Sequence, residues 1–226
     1  MEYVIFLNGV YPNDIEKIKK IVEGKKIVCA DGGTNFCYKL NLMPELIIGD
    51  LDSIDEDVLS YYTKQNVKIV RTIKEKDYTD FELALMSISN EKILDVRTRF
   101  KNTDKILPKK RDNKILVIGA TGKRVDMSLS NILKLQNNKN MIFITEEFEY
   151  MRYICLKDEV EIIENLKGKT FSIIPITTLK NLDLKGFVYN LDKTTIDKSV
   201  GLASNIVKDD KAYIYCQEGE MYLIYE

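Results

Sequence analysis

The first part of the chain alternates short apolar runs with amphipathic stretches. Residues 4–7, 27–30, 46–48, 67–70, 115–118 and 141–144 form the runs and are predicted as buried strands. Between several of them apolar positions recur at helical spacing, which predicts helices over 14–21, 34–40, 55–64, 79–89 and 127–135. A strand covered on both faces needs a continuous apolar run, so this alternation implies an α/β domain built on a parallel sheet. Functional groups in such a sheet gather at the carboxyl ends of the strands.

After about residue 147 the pattern changes. Residues 153–156, 160–163, 170–174, 182–184, 194–196, 202–207, 212–215 and 221–224 are short β-rich runs, punctuated by Gly168, Gly186, Gly201 and Gly219. This reads as a small antiparallel sandwich or barrel. One segment fits neither part: 97–111 is basic and poor in apolar residues, and is expected to be an exposed loop.

Composition narrows the chemistry more than the fold. Hydrophobic residues at 45% and charged residues at 31% are ordinary for a globular chain and argue against disorder. A net charge of −1 supplies no global field for nucleic acid or an anionic membrane, so neither is expected as a partner. The N-terminus lacks a basic leader, and no apolar run approaches the ~20 residues of a membrane span. Cys29, Cys37, Cys155 and Cys216 show no close pairing, which suits free thiols in a reducing cytoplasm. The chain has no histidine. Mechanisms with a histidine base or ligand are thereby excluded, and a bound metal must sit on oxygen, which points to magnesium, calcium or manganese.

Four turns carry candidate chemistry. In Gly49-Asp50-Leu51-Asp52-Ser53, Asp50 and Asp52 follow a strand two residues apart, so extended backbone would point both the same way. Paired carboxylates suit a cation, although Asp52 or Ser53 could equally cap the next helix. In Asp77-Tyr78-Thr79-Asp80-Phe81-Glu82, Asp77 and Asp80 share the first turn of a helix, as metal ligands or as a capping pair. Gly119-Ala120-Thr121-Gly122-Lys123-Arg124-Val125-Asp126 offers backbone N–H groups, a helix start and two cations to an anion, or is a plain glycine turn. Asp31-Gly32-Gly33-Thr34 is a similar nest or a tight turn capped by Thr34. Each alone is weak. Together, at strand ends of one sheet, they describe a magnesium–nucleotide site and phosphoryl transfer, with the acceptor undefined.

Read in order, ADGGTN, PELIIGDLDSI, KDYTDFELAL, GATGKRVD and a late GLASN resemble the motif set of the thiamin pyrophosphokinases. The resemblance implies an α/β parallel-sheet N-terminal domain over residues 1–146 that binds nucleotide and magnesium, and an all-β sandwich over 147–226 that binds thiamin. It also implies a cytoplasmic homodimer whose thiamin site lies in a cleft between one subunit's α/β domain and the other's sandwich. By the same resemblance Asp50, Asp52 and Asp77 hold Mg2+ and orient ATP, and Asp77 is the favoured proton acceptor. Asp31, Gly32, Thr121, Gly122, Arg124 and Asp126 shape the nucleotide site, while Ser204 and Asn205 meet thiamin, with Asp80 as a further contact. The chain has Met127 where that family commonly has His, and Ile206 where it commonly has Glu. The implied reaction moves pyrophosphate from ATP to thiamin and releases AMP; the alternatives are a related pyrophosphokinase acting on a pterin alcohol and a nucleotide-binding regulator without turnover.

Overall fold

The structure, a computed structural model, describes residues 2–73, 78–88 and 113–226. Asp77 and the basic segment 97–111 lie outside the described residues. The chain divides into two compact units, Met1–Glu147 and Phe148–Glu226.

In the first unit β1 (Tyr3–Phe6), β2 (Lys26–Ala30), β3 (Leu46–Gly49), β4 (Lys68–Arg71), β5 (Ile115–Ile118) and β6 (Met141–Ile144) pair only in parallel, in the order β4-β3-β2-β1-β5-β6. The central strands are apolar throughout because helices cover both faces: Val4, Ile5, Phe6, Ile47, Ile48, Val117 and Ile118 have no exposed surface. The helices are α1 (Ile15–Val22), α2 (Gly33–Lys39), α3 (Glu56–Lys64), α4 (Asp80–Ile88) and α5 (Val125–Leu133), the last followed by a 3-10 turn at Lys134–Asn137. Asp14 starts α1 by accepting from Lys17 N at 2.9 Å, with Glu16 in its first turn and Lys19 and Lys20 in its last, as the helix dipole favours. The chain runs outward from β1 to β4, then returns to β5 on the other side of β1. The strand order therefore reverses between β1 and β5, and the crevice at their carboxyl ends is where such sheets bind ligands.

The second unit is a β-sandwich of β7 (Tyr150–Glu164), β8 (Thr170–Pro175), β9 (Leu179–Lys185), β10 (Leu191–Ile196), β11 (Leu202–Ile206) and β12 (Lys211–Tyr225). Two pairs of short runs expected from the sequence are single 15-residue strands, β7 and β12, paired in one register from Tyr150 with Tyr225 to Glu164 with Lys211. Lys157-Asp158-Glu159 reads locally as a turn, and Asp158 does bend, with φ +51°. The register with β12 is the same on both sides of it, and Asp158 accepts from Tyr215 Oη at 3.0 Å. The bend lets β12 serve two layers. Residues 213–218 pair with β9, which carries β10, and residues 221–225 pair with β8, which carries β11. Inward side chains from both layers, among them Leu156, Ile163, Phe171, Leu182, Phe187, Ile214 and Leu223, make one core.

Candidate active site

The β2 and β3 ends bring acids together. Register pairs Ala30 with Ile48, so the residues that follow emerge side by side. Asp31 N donates to Ile48 O at 2.9 Å, and Asp31 turns into the left-handed region with φ +46°. Among the described residues, Asp31, Asp50 and Asp52 bring one carboxylate oxygen each within 4.8 Å of one another. Asp31 is buried, Asp50 half-buried and Asp52 exposed. Ser53 N lies 3.4 Å from Asp31 Oδ1 and Asp52 N lies 3.4 Å from Asp50 Oδ1, both long for hydrogen bonds. Asp52 Oδ1 also accepts from Ser53 Oγ at 3.2 Å. Three hard carboxylate donors of graded burial, grouped this closely, fit an oxygen-coordinated divalent cation.

The capping alternatives for these acids are resolved by the helix starts. Asp55, rather than Asp52 or Ser53, occupies the N-cap position of α3, and it makes no side-chain cap bond. Asn35 ties the turn down instead, donating to Ser53 O at 3.1 Å and accepting from Asp55 N at 3.1 Å. Thr34, expected as a cap, lies inside α2 and donates its hydroxyl to Asp31 O at 2.7 Å. At α4 the capping box consists of Thr79 and Glu82: Thr79 N donates to Glu82 Oε2 at 2.7 Å and Glu82 N to Thr79 Oγ1 at 3.3 Å. Asp80 is thus not needed as the N3 capping acid. Glu82 Oε1 also pairs at 3.4 Å with Lys134 Nζ, a buried ammonium held by Ser130 O at 3.0 Å and Ser130 Oγ at 2.9 Å.

At the switch point lies a cavity of about 300 Å³. Its lining includes Asn8 and Gly9 after β1, Asp31 after β2, Thr79, Asp80 and Phe81 at the start of α4, Gly119, Ala120, Gly122, Lys123 and Arg124 after β5, and Met127 and Asn131 on α5. Gly122 sits at φ +86°, where an added Cβ would lie 2.3 Å from Val10 Cγ2, so only glycine lets the two loops close. Val10 N donates to Thr121 O at 2.8 Å, which fastens the loop from the other side. Lys123 Nζ donates to Asn8 Oδ1 at 2.8 Å. Arg124 grips Asp126 with two bonds, Nε to Oδ1 at 3.1 Å and a second N–H to Oδ2 at 2.5 Å. That pair raises the Arg124 pKa and holds the Asp126 carboxyl below its ordinary value. Two of the guanidinium donors are committed, and its remaining N–H groups stay available on the other edge of the fork. A neighbouring cavity of about 530 Å³ is bordered by Asn8, Tyr11, Gly32, Asn35, Phe36 and Lys123; Tyr11 stacks on Phe36 with ring centres 3.7 Å apart.

The first unit thus gathers Asp31, Gly122, Arg124 and Asp80 at one cavity, with Asp50 and Asp52 grouped beside Asp31. Thr121, in the same loop, and Asp126, in the first turn of α5, do not line the cavity, and Gly32 borders its neighbour. Sequence reasoning missed Asn8, Gly9 and Asn131. Asn8-Gly9 directly follows an apolar run, the same signal that marked the other turns, whereas Asn131 lies inside a helix and carries no such signal. In the second unit Asn205 spends its amide on Tyr189: Oδ1 accepts from Tyr189 N at 3.1 Å and Nδ2 donates to Tyr189 O at 2.8 Å. Ser204, at φ +60°, takes Ser172 Oγ as partner for its N–H at 3.0 Å. Tyr189 is 71% exposed, whereas Phe187 is core at 1%, so of these two aromatic side chains only Tyr189 is presented to solvent.

A doubly wound α/β unit with an acid cluster and an anion-compatible loop at its switch point, followed by a β-sandwich, defines the class. The family model described as thiamin pyrophosphokinase, catalytic domain, matches residues 19–145, and that described as thiamin pyrophosphokinase, vitamin B1 binding domain, matches residues 157–220. The chain belongs to the thiamin pyrophosphokinase family. It is 26% identical over 208 residues to "Thiamine pyrophosphokinase 3" of Oryza sativa subsp. japonica, covering 83% of this chain and 73% of that one. Its fold is similar to that of the thiamin pyrophosphokinase from Candida albicans, with a TM-score of 0.78, 21% identity and coverage of 100% and 88%. The Bacillus subtilis thiamine pyrophosphokinase superposes with a TM-score of 0.76 at 20% identity, covering 100% and 99%. Among the described residues no helix is long and apolar enough to cross a membrane.

Proposed function

We propose that the protein transfers the pyrophosphoryl group of ATP to the hydroxyl of thiamin, giving thiamin diphosphate and AMP. The observation that carries this reading is the Asp31, Asp50 and Asp52 cluster, one member of which lines the switch-point cavity, in a chain that matches both family models. The thiamin hydroxyl oxygen bonds to the β-phosphorus of ATP as the bond from that phosphorus to the oxygen shared with the α-phosphate breaks. AMP departs with that oxygen, and the hydroxyl proton is lost to a carboxylate or to water. Phosphoryl transfer is chiefly positioning and charge stabilisation, so the side chains named need no histidine.

Asp31, Asp50 and Asp52 would hold Mg2+, which supplies charge neutralisation on the triphosphate. Asp31, expected only as a nucleotide contact, thereby joins the proposed ligand set, and Asp77 remains in it by the family resemblance. Arg124, oriented by Asp126, and Lys123, oriented by Asn8, offer cations to the phosphates beside the backbone of Gly119 and Gly122. Thr79 and Asp80 fall at the same cavity, with Asp80 a contact for substrate. The sandwich unit carries acceptor recognition: Asn205, beside Ser204 on β11, holds the β9–β10 connection that presents Tyr189. Thiamin is a thiazolium cation, and the acids favour its approach. We further propose that the protein works as a cytoplasmic homodimer; exposed apolar side chains such as Val125, Leu129 and Leu133 on α5 suit a protein that self-associates.

Incubation with magnesium-ATP and thiamin, followed by phosphorus NMR, tests the reading. AMP and a diphosphate ester are the expected products. ADP with a monophosphate ester would overturn pyrophosphoryl transfer, and turnover of a pterin alcohol in place of thiamin would overturn the acceptor.

A further inference from the structure

Asn131 lies two turns into α5 and only 6% of it is exposed. Its Nδ2 donates to Ala120 O at 2.8 Å. That bond fixes the amide, because a flipped side chain would set Oδ1 against a carbonyl oxygen, acceptor against acceptor. Oδ1 is therefore held on the remaining side. It is buried, and among the described residues no donor reaches it. Asn131 also lines the switch-point cavity. A buried acceptor aimed at no protein donor is rare, and a ligand group that donates to it restores what burial took away.

The donor cannot be a phosphate oxygen, which is itself an acceptor when ionised and would be repelled. The lining divides by chemistry. Lys123, Arg124 and the glycine backbone suit the polyphosphate, whereas Asn131 shares the cavity with the apolar Phe81, Met127 and Ala120. ATP has two kinds of neutral donor, the ribose hydroxyls and the 6-amino group of adenine, and both belong to the nucleoside.

We propose that Asn131 Oδ1 accepts a hydrogen bond from the nucleoside half of ATP and so sets nucleotide selectivity, while Nδ2 holds the Gly119–Gly122 turn. This rests on the reading of the cavity as the ATP site. A site built to meet a ligand donor rejects analogues that lack it far more strongly than an apolar pocket does.

Calorimetry with magnesium and ATP, 2′-deoxy-ATP, 3′-deoxy-ATP or ITP tests it, first on the unmodified protein. One analogue should bind about tenfold or more weakly than ATP. Loss with a deoxy analogue assigns the ribose, and loss with ITP assigns the amino group. In Asn131→Leu, ATP should weaken about tenfold and the preference over that analogue should vanish. Asn131→Asp keeps an acceptor but loses the bond to Ala120; it should preserve the preference whatever its absolute affinity, which separates recognition from support of the turn. Equal binding of all four nucleotides by the unmodified protein overturns the inference, as does a preference that survives in Asn131→Leu. If the unmodified protein binds no ATP, the ATP-site reading falls and takes the inference with it, an outcome distinct from both.

Discussion

Glu82 ties the start of α4, which lines the cavity, to Lys134 just after α5, and its removal should be felt both in stability and in nucleotide binding. In Glu82→Gln the side chain keeps its length and can still accept from Thr79 N, so the capping of α4 is retained. The charge opposite Lys134 is lost. Both side chains are largely buried, at 7% for Lys134 and 19% for Glu82, so the ammonium is left with only the two Ser130 oxygens. Breaking a buried pair by removing one partner costs about 3–5 kcal/mol. For a chain of this size each kcal/mol lowers Tm by about 2–4 °C, so a fall of roughly 6–20 °C is expected. Differential scanning fluorimetry of the variant reads this directly. The double variant Glu82→Gln, Lys134→Met, which removes the stranded charge, should recover most of the loss, because an apolar group of similar volume often replaces a buried ion without cost. Asp80 is the first residue of α4 and Thr79 directly precedes it, so both sit at the helix start that Glu82 anchors, and the KM for ATP should rise in the single variant and fall back in the double. A Tm within about 2 °C of the parent, an effect smaller than one kcal/mol by the same scaling, would show that water reaches Lys134 and that the pair is not structurally important.

Three further outcomes are expected. Asp52→Asn should lower turnover about a hundred- to thousandfold with unchanged circular dichroism, as loss of a transition-state charge contact costs about 3–4 kcal/mol; near-parental turnover would remove Asp52 from the metal site. Asn205→Ala should raise the KM for thiamin while leaving ATP binding intact, because Tyr189 loses both bonds to the Asn205 amide, each lost bond costing about 1–3 kcal/mol; an unchanged thiamin KM would make Asn205 a purely local brace. Stability should fall as pH rises past about 9. Burial pushes the Cys29 thiol well above its ordinary value of 9.0 and raises the Tyr11 and Tyr62 phenols. The unfolded chain therefore releases protons that the folded chain keeps, and a Tm constant from pH 7 to 10 would contradict the burial of these groups.

The run of strands and helices in the first unit was legible because each element states its environment locally: a strand covered on both faces must be apolar at every position, and a surface helix must repeat at 3.6. The turns that carry chemistry were legible for the same reason, since acids and glycines directly after such strands have no part in the core. The second unit was less legible. Lys157-Asp158-Glu159 and the stretch around Glu218 look like turns in isolation, and only their pairing with one another carries β7 and β12 through. What local sequence could not express was partnership across distance. Asp31 joins Asp50 and Asp52 because β2 and β3 lie in register, a consequence of sheet order. Glu82 finds Lys134 because α4 lies against the 3-10 turn that follows α5, and Asn131 finds Ala120 because α5 folds back on the turn that precedes it. Residue type along the chain determines which groups are available and which segments must be buried. Which of those groups share a site is decided by strand order and packing, since nothing in the local backbone brings residues twenty or fifty apart within hydrogen-bond reach.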